Sequence, residues 1–314
     1  MTKRFFYIAK KVIKDTIHRF SAADPIVYSA AIAFFTIFSM PSILFLVVKV
    51  ASSLMGSKRV LDEVFAQVEE KVNNESAQQI QSILEAGFDW GLTSLSGILS
   101  LLLLLFTATV VFNFVKKALN SIWNVKPKPR KGAVKFAIDR LFSLLLILVL
   151  GIVMVASLLL ESVIALFADE FSNDLLGLTP YLTRFLHILV SYGLMTVIFA
   201  LLFKFLPDIR SPWKPIWVGA LITSALFTLG KFIIGRIISS TDITTTYGAA
   251  GSLAALLLWV FYSSVIILLG AIFTKIYYLS KGYQVRPSEN AVAIEIRELE
   301  REDDGEKATR VNQA

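Results

Sequence analysis

Six apolar stretches of bilayer length constrain this chain more than any other feature. They run roughly over 26–50, 92–115, 141–167, 182–206, 216–238 and 251–278. About 20 mostly apolar residues let an α-helix cross about 30 Å of hydrocarbon. Inside lipid every backbone polar group must be satisfied within the protein, which helices of this length do unaided. The 314 residues are 55% hydrophobic and 18% charged, well short of the roughly 25% charge of a soluble domain. The expected fold is therefore all-α, a polytopic membrane bundle of six transmembrane helices. The first run is too long and too late for a cleaved signal peptide and reads as a retained signal-anchor.

The basic residues orient the bundle. Lys3, Arg4, Lys10, Lys11, Lys14 and Arg19 precede the first stretch, and Lys116, Lys117, Lys126, Lys128, Arg130, Lys131, Lys135 and Arg140 follow the second. Lys204, Arg210 and Lys214 lie between the fourth and the fifth. On the other side, 51–91 holds three bases against seven acids, and 168–180 holds Asp169, Glu170 and Asp174 with no base. Lys and Arg resist translocation, so both termini are expected on the cytoplasmic side of the membrane. Trp90 falls at an outer border, and Trp123, Trp213 and Trp217 fall at inner borders. The net charge of +7 follows from these loops and points to anionic headgroups at the cytoplasmic face. Nucleic acid is not an expected partner.

Three segments do not span. Residues 1–23 place Phe5, Ile8, Val12, Ile13, Ile17 and Phe20 on one helical face, the pattern of a basic amphipathic surface helix. Asp24-Pro25 then caps and starts the first span, giving an elbow. Within the membrane domain, 24–285, the stretch 59–86 is too polar to cross. It reads as an extracytoplasmic helical hairpin, with a capping-box pattern at Ser76–Gln79. Residues 286–314 read as a charged, disordered cytoplasmic tail.

Candidate functional positions come from polar groups within the apolar runs, which are costly in lipid. Glu161 and Lys231 both come late in spans running outward, and Arg184 opens the fourth span at that level. Two readings stay open: an outward-facing polar cavity, or side chains that pair or snorkel to the interface. Thr244, Thr245, Thr246 and Tyr247 precede the last span and are expected to line a wet vestibule of the same cavity. Gly248, Gly251, Ser252 and Ala255 follow as small residues on adjacent helical rows, which let membrane helices approach closely. Ala30, Ala33, Gly219, Thr223 and Ser224 are their candidate partners. Pro41, deep in the first span, removes a backbone bond and favours a kink.

No catalytic constellation emerges. The two histidines, His18 and His187, fall on opposite sides of the membrane in this topology, and a chain without cysteine holds no thiolate metal site. A Walker-type phosphate loop is missing from the sequence, so ATP is not expected as the direct energy source. No cofactor or metal is expected.

Several blocks resemble the YihY/virulence factor BrkB family. They are DPIVYSAAIAFFTIFSMPSILFLVV at 24–48, KKALNSIWNV at 116–125, FALLFKFLPDIR with the following VGALITSALF, and YGAAGSLAALLLWVFYSSVIILLGA at 247–271. The resemblance covers roughly 20–285 and implies a six-span bacterial inner-membrane protein. Some members have carried the label ribonuclease BN, and roles in transport, envelope lipid handling and serum resistance have been proposed. Many members carry an acid directly after the final Gly-Ala, where this chain has Ile272; any role of that acid does not transfer. The expectation is a transporter or lipid-handling protein. The alternative is a scaffold whose outer hairpin binds an envelope partner.

Overall fold

The structure is a computed structural model that describes residues 2–22, 24–55, 95–128, 141, 144–146, 148–153, 179–240 and 249–295. It is mostly helical: α1 (Thr2–Ala22), α2 (Pro25–Met55), α3 (Leu95–Trp123), α4 (Leu144–Val153), α5 (Thr179–Phe205), α6 (Trp213–Ser240) and α7 (Ala249–Ser280). Among the described residues, four short strands accompany them: β1 (Val125–Pro127), β2 (Ile209–Arg210), β3 (Arg286–Pro287) and β4 (Ala291–Ala293). Among the described residues, windows of α5, α6 and α7 are long and apolar enough to cross a membrane. The bent α1–α2 pair is a fourth if taken as one span. α3 and α4 lie on the second and third apolar stretches. The expected hairpin at 59–86 lies outside the described residues.

The elbow between α1 and α2 bends by 67°. Asp24 holds a left-handed conformation (φ 45°), one that Asp tolerates better than most residues. Its carbonyl accepts the Val27 amide at 3.1 Å, while Pro25 occupies the first turn, where its missing donor costs nothing. Among the described side chains of α1, Val12 and Thr16, one turn apart, are buried where the helix meets α7, while Ile13 and Ile17 remain exposed beside them. The expected apolar face is thus divided between the bundle and the surroundings. α2 continues as helix through Pro41 to Met55.

The helices pack in the spatial order α5–α6–α7–α2–α3, with α1 laid on α7. α7 is the hub, touching α6, α2, α1 and α3. Phe35 of α2 stacks on Phe114 of α3 with centroids 4.2 Å apart, and Ser39 Oγ donates to the Thr107 carbonyl at 2.7 Å. Against α6, α7 makes a reciprocal contact of small residues. A Cβ on Gly219 would lie 2.8 Å from Thr274 Cβ, and one on Gly270 would lie 2.8 Å from Thr223 Cβ. The threonine hydroxyls return to their own helices, Thr223 to the Gly219 carbonyl and Thr274 to the Gly270 carbonyl, each at 2.7 Å. Gly219 and Thr223 therefore do form a close-packing face. Its partner is the Gly270–Thr274 turn, because antiparallel α6 and α7 bring the start of one beside the end of the other. Ser224 bonds Thr196 of α5 at 3.1 Å.

Large apolar side chains such as Phe34, Phe38, Phe185 and Phe232 are exposed on the outside of the bundle, as a helix bundle solvated by lipid requires. The most buried bulky residues, Trp123, Phe203, Leu119, Ile216 and Leu268, gather toward one end, where α3, α5 and α7 finish and α6 begins.

That end is closed by the strands. β1 pairs antiparallel with β4, Val125 opposite Ala293, and β2 pairs antiparallel with β3, Ile209 opposite Pro287. Part of the expected tail, 286–295, is thus built into the fold and includes β3 and β4. Its composition does not announce strands, because the pairing partners lie some 80 to 165 residues away (~3 Å rise per residue makes such short strands wholly dependent on them).

Candidate functional site

Two irregular segments meet at the strand-closed end. The first, 206–212, joins α5 to α6 and is bounded by Pro207 and Pro212, neither of which fits a helix interior. The second follows α7, which ends in a glycine turn. Gly282 takes φ 81°, its amide donates to the Leu279 carbonyl at 2.9 Å, and the Tyr283 amide reaches the Tyr278 carbonyl at 3.4 Å. This is the left-handed helix cap that glycine supplies without a steric penalty. The Ser288 amide then donates to the Asp208 carbonyl at 2.9 Å, joining the two segments. Between them lies a cavity of about 1020 Å³, at the upper end of the size range of small-molecule sites.

Asp208 anchors the first segment to α3. Its carboxylate accepts from Asn120 Nδ2 at 2.9 Å and from Lys116 Nζ at 3.0 Å, and its amide donates to Asn120 Oδ1 at 2.8 Å. The negative charge of the cavity wall is thereby offset. Arg210 pairs with Glu289 across the β2–β3 junction. Lys204 donates to the Ser211 carbonyl and lies over the Trp213 ring, 5.4 Å from its centroid. Lys204 and Arg286, both lining the cavity, have no acidic partner among the described residues.

Aromatic side chains frame the same level. Trp213 and Trp217 are part-exposed, with centroids 6.3 Å apart, and Phe205 meets Trp213 edge-on at 6.0 Å. Indole rings prefer the border between hydrocarbon and headgroups. Tyr278 donates to the Gln284 carbonyl at 2.8 Å and packs edge-on against buried Trp123 at 5.4 Å. Close by, buried Lys275 of α7 donates to the Ile122 carbonyl in the last turn of α3. A cation there satisfies an orphan carbonyl and complements the negative end of the helix dipole. Ile272, the residue that stands in place of an acid, is buried in the apolar core.

The positions singled out from sequence fall elsewhere. Glu161, Thr244, Thr245, Thr246, Tyr247 and Gly248 lie outside the described residues. Arg184 lies in α5, where only its backbone is described, and Lys231 is exposed on α6. Gly251 is buried and Ala255 half-buried on α7, with Ser252 described only in its backbone. Sequence reading counted Lys204 and Arg210 for orientation alone and missed Asp208, Ser211, Tyr278 and Arg286 as a group. The available signal was a proline-bounded charged connection, Pro207–Pro212, too short to be a domain yet carrying Asp, Arg and Ser.

The sequence profile of the family described as virulence factor BrkB matches residues 16–295. A UPF0761 membrane protein of Teredinibacter turnerae is 27% identical over 247 residues, covering 79% of this chain and 55% of the relative. One from Methylibium petroleiphilum is 30% identical over 177 residues, 56% of this chain and 40% of the relative. One from Glaesserella parasuis is 26% identical over 223 residues, 69% of this chain and 75% of the relative. The chain spans about half the length of several curated relatives it matches. No solved structure matches. The relatives' names place them in membranes and state no enzymatic activity.

Proposed function

Since the chain belongs to the virulence factor BrkB family, an integral membrane family, we propose that it is a transporter or lipid-handling protein of the bacterial inner membrane. In this reading the chain crosses the membrane six times, and the strand-closed end faces the cytoplasm. Lys116, Lys204 and Lys214 on the helices and Lys126, Lys128 and Arg210 on the connections converge on that end, and basic segments flanking spans are retained on the cytoplasmic side.

The observation that carries the reading is the cavity of about 1020 Å³ at the level of Trp213 and Trp217. A scaffold has no use for an open, cation-lined chamber beside the headgroup layer, whereas a protein that receives an anionic solute or headgroup requires one. Glu161, Arg184, Lys231 and Thr244–Tyr247 are proposed as the outward counterpart, where the same cargo would be released or received. Apolar outer faces and the exposed Ile13–Ile17 edge of α1 would contact lipid, with basic residues near anionic headgroups.

Deletion of the gene, followed by profiling of membrane lipids and soluble anionic metabolites, tests this. One anionic pool is expected to change by at least about twofold and to return with the wild-type copy, but not with Glu161→Gln. If no pool changes, the transport and lipid-handling reading is wrong.

A further inference from the structure

We propose that the cavity at the strand-closed end binds a phosphate group, held by Arg286, Lys204 and the hydroxyl of Ser211. The inference rests on the functional reading above and specifies the cargo chemistry of the same chamber. Ser211 carries it. This residue lines the cavity, is only 5% exposed, and its Oγ, itself shielded from solvent, has no hydrogen-bond partner among the described residues. Buried hydroxyls nearly always have a partner, because a hydroxyl removed from water without one loses its hydration for no return. The backbone carbonyl of the same residue is engaged by Lys204, so the side chain is the unsatisfied part.

Charge selects an anion. Asp208 is engaged by Lys116 and Asn120, and Glu289 by Arg210. Lys204 and Arg286 remain facing the chamber without an acid among the described residues. Tyr278, engaged with the Gln284 carbonyl, sets the wall without offering its proton.

Donor shape narrows the choice to phosphate. A guanidinium fork addresses two oxygens at once, an ammonium addresses others as a point charge, and a hydroxyl donates one further bond. Three donors of different geometry suit a tetrahedral oxyanion, whose terminal oxygens point in more directions than the two coplanar oxygens of a carboxylate. The volume of about 1020 Å³ exceeds a bare phosphate and leaves room for the group that carries it. The aromatic border at Trp213 and Trp217 is where a lipid phosphate would sit, and a cytosolic phosphomonoester would reach the same place from the water side. The chemistry is shared, and the test separates the sources.

Full-length protein in detergent would be titrated with glycerol 3-phosphate and, separately, with phosphatidate in mixed micelles, following tryptophan emission, with Trp213 lying beneath Lys204. Wild type is expected to bind at least one of them. Ser211→Ala should weaken that binding by about threefold to tenfold, and Arg286→Gln by about tenfold or more. Lys126→Gln, an exposed charge on β1 outside the cavity, should stay within about twofold. Arg286 is exposed, so its loss leaves the fold intact; unchanged thermal unfolding of both variants verifies this. Losses confined to phosphatidate assign a lipid headgroup, and losses with glycerol 3-phosphate assign a soluble phosphomonoester; either supports the site. No binding by wild type, or equal weakening in Lys126→Gln, overturns it. Phosphate binding with no altered pool after deletion would leave the site standing and remove only the transport reading. An altered pool with no phosphate binding would do the reverse.

Discussion

Gly219→Ile is expected to prevent recovery of folded protein, and Gly219→Ala to lower its stability by about 2 kcal/mol. The reason is the backbone approach between α6 and α7. A Cβ at position 219 would stand 2.8 Å from Thr274 Cβ and closer still to its hydroxyl. Thr274 is fully buried and cannot turn away, since its hydroxyl is held by the Gly270 carbonyl. The two helices would have to separate, and separation also opens the reciprocal contact of Gly270 with Thr223 one turn along. Membrane helices have no hydrophobic drive to re-close such a gap, because lipid tails solvate apolar side chains equally well. Thermal unfolding in detergent, read by size-exclusion chromatography, measures the loss. The double variant Gly219→Ala with Thr274→Gly exchanges which helix carries the side chain and should recover at least half of it. Additive losses in the double variant would show that these residues do not face each other.

Asp208→Ala should be the second most damaging change. It removes the carboxylate that accepts from Lys116 and Asn120, both on α3, which together fix the α5–α6 connection. Breaking a fully buried ion pair costs about 3–5 kcal/mol. Here both side chains are nearly a fifth exposed, so solvent screening reduces the expected loss to about 2 kcal/mol. Asn120 is more deeply buried and loses one of two reciprocal bonds, the one from its amide nitrogen. Asp208→Asn removes the charge while keeping acceptor oxygen, and should retain about half of the stability that the alanine variant loses. Limited proteolysis near Pro207–Pro212 provides the local readout. The alanine variant should be cleaved there several times faster than wild type, with the asparagine variant between them. Equal cleavage of all three would show that the network does not hold this connection.

How far these features were legible in the sequence depends on the range over which each acts. α2, α5, α6 and α7 follow from apolar length, and the α1–α2 elbow follows from Asp24-Pro25, because both signals are local. The close-packing role of Gly219 and Thr223 was also readable, since small residues one turn apart have few other uses in a lipid-facing helix. Their partner was not, because it depends on which end of α7 lies beside the start of α6. The cavity was illegible for the same reason. Ser211 and Arg286 are 75 residues apart and meet only through β2 and β3, strands of two residues each. Strands so short carry no alternation of their own, and their sequence, Ile-Arg with Arg-Pro, resembles any loop. Burial and the Ile122 carbonyl make Lys275 a bolt between α7 and α3, a contact no local pattern announces because its partner lies 153 residues away.

In the proposed topology the strand-closed, cation-rich end faces the cytoplasm. A chain without cysteine permits a clean test by single-cysteine labelling in right-side-out spheroplasts. Lys126→Cys on β1 and Ser288→Cys directly after β3 should react with a membrane-impermeant maleimide only after lysis, while Asp174→Cys should react in intact spheroplasts. Labelling of positions 126 and 288 before lysis would place the cavity on the opposite side and contradict the account.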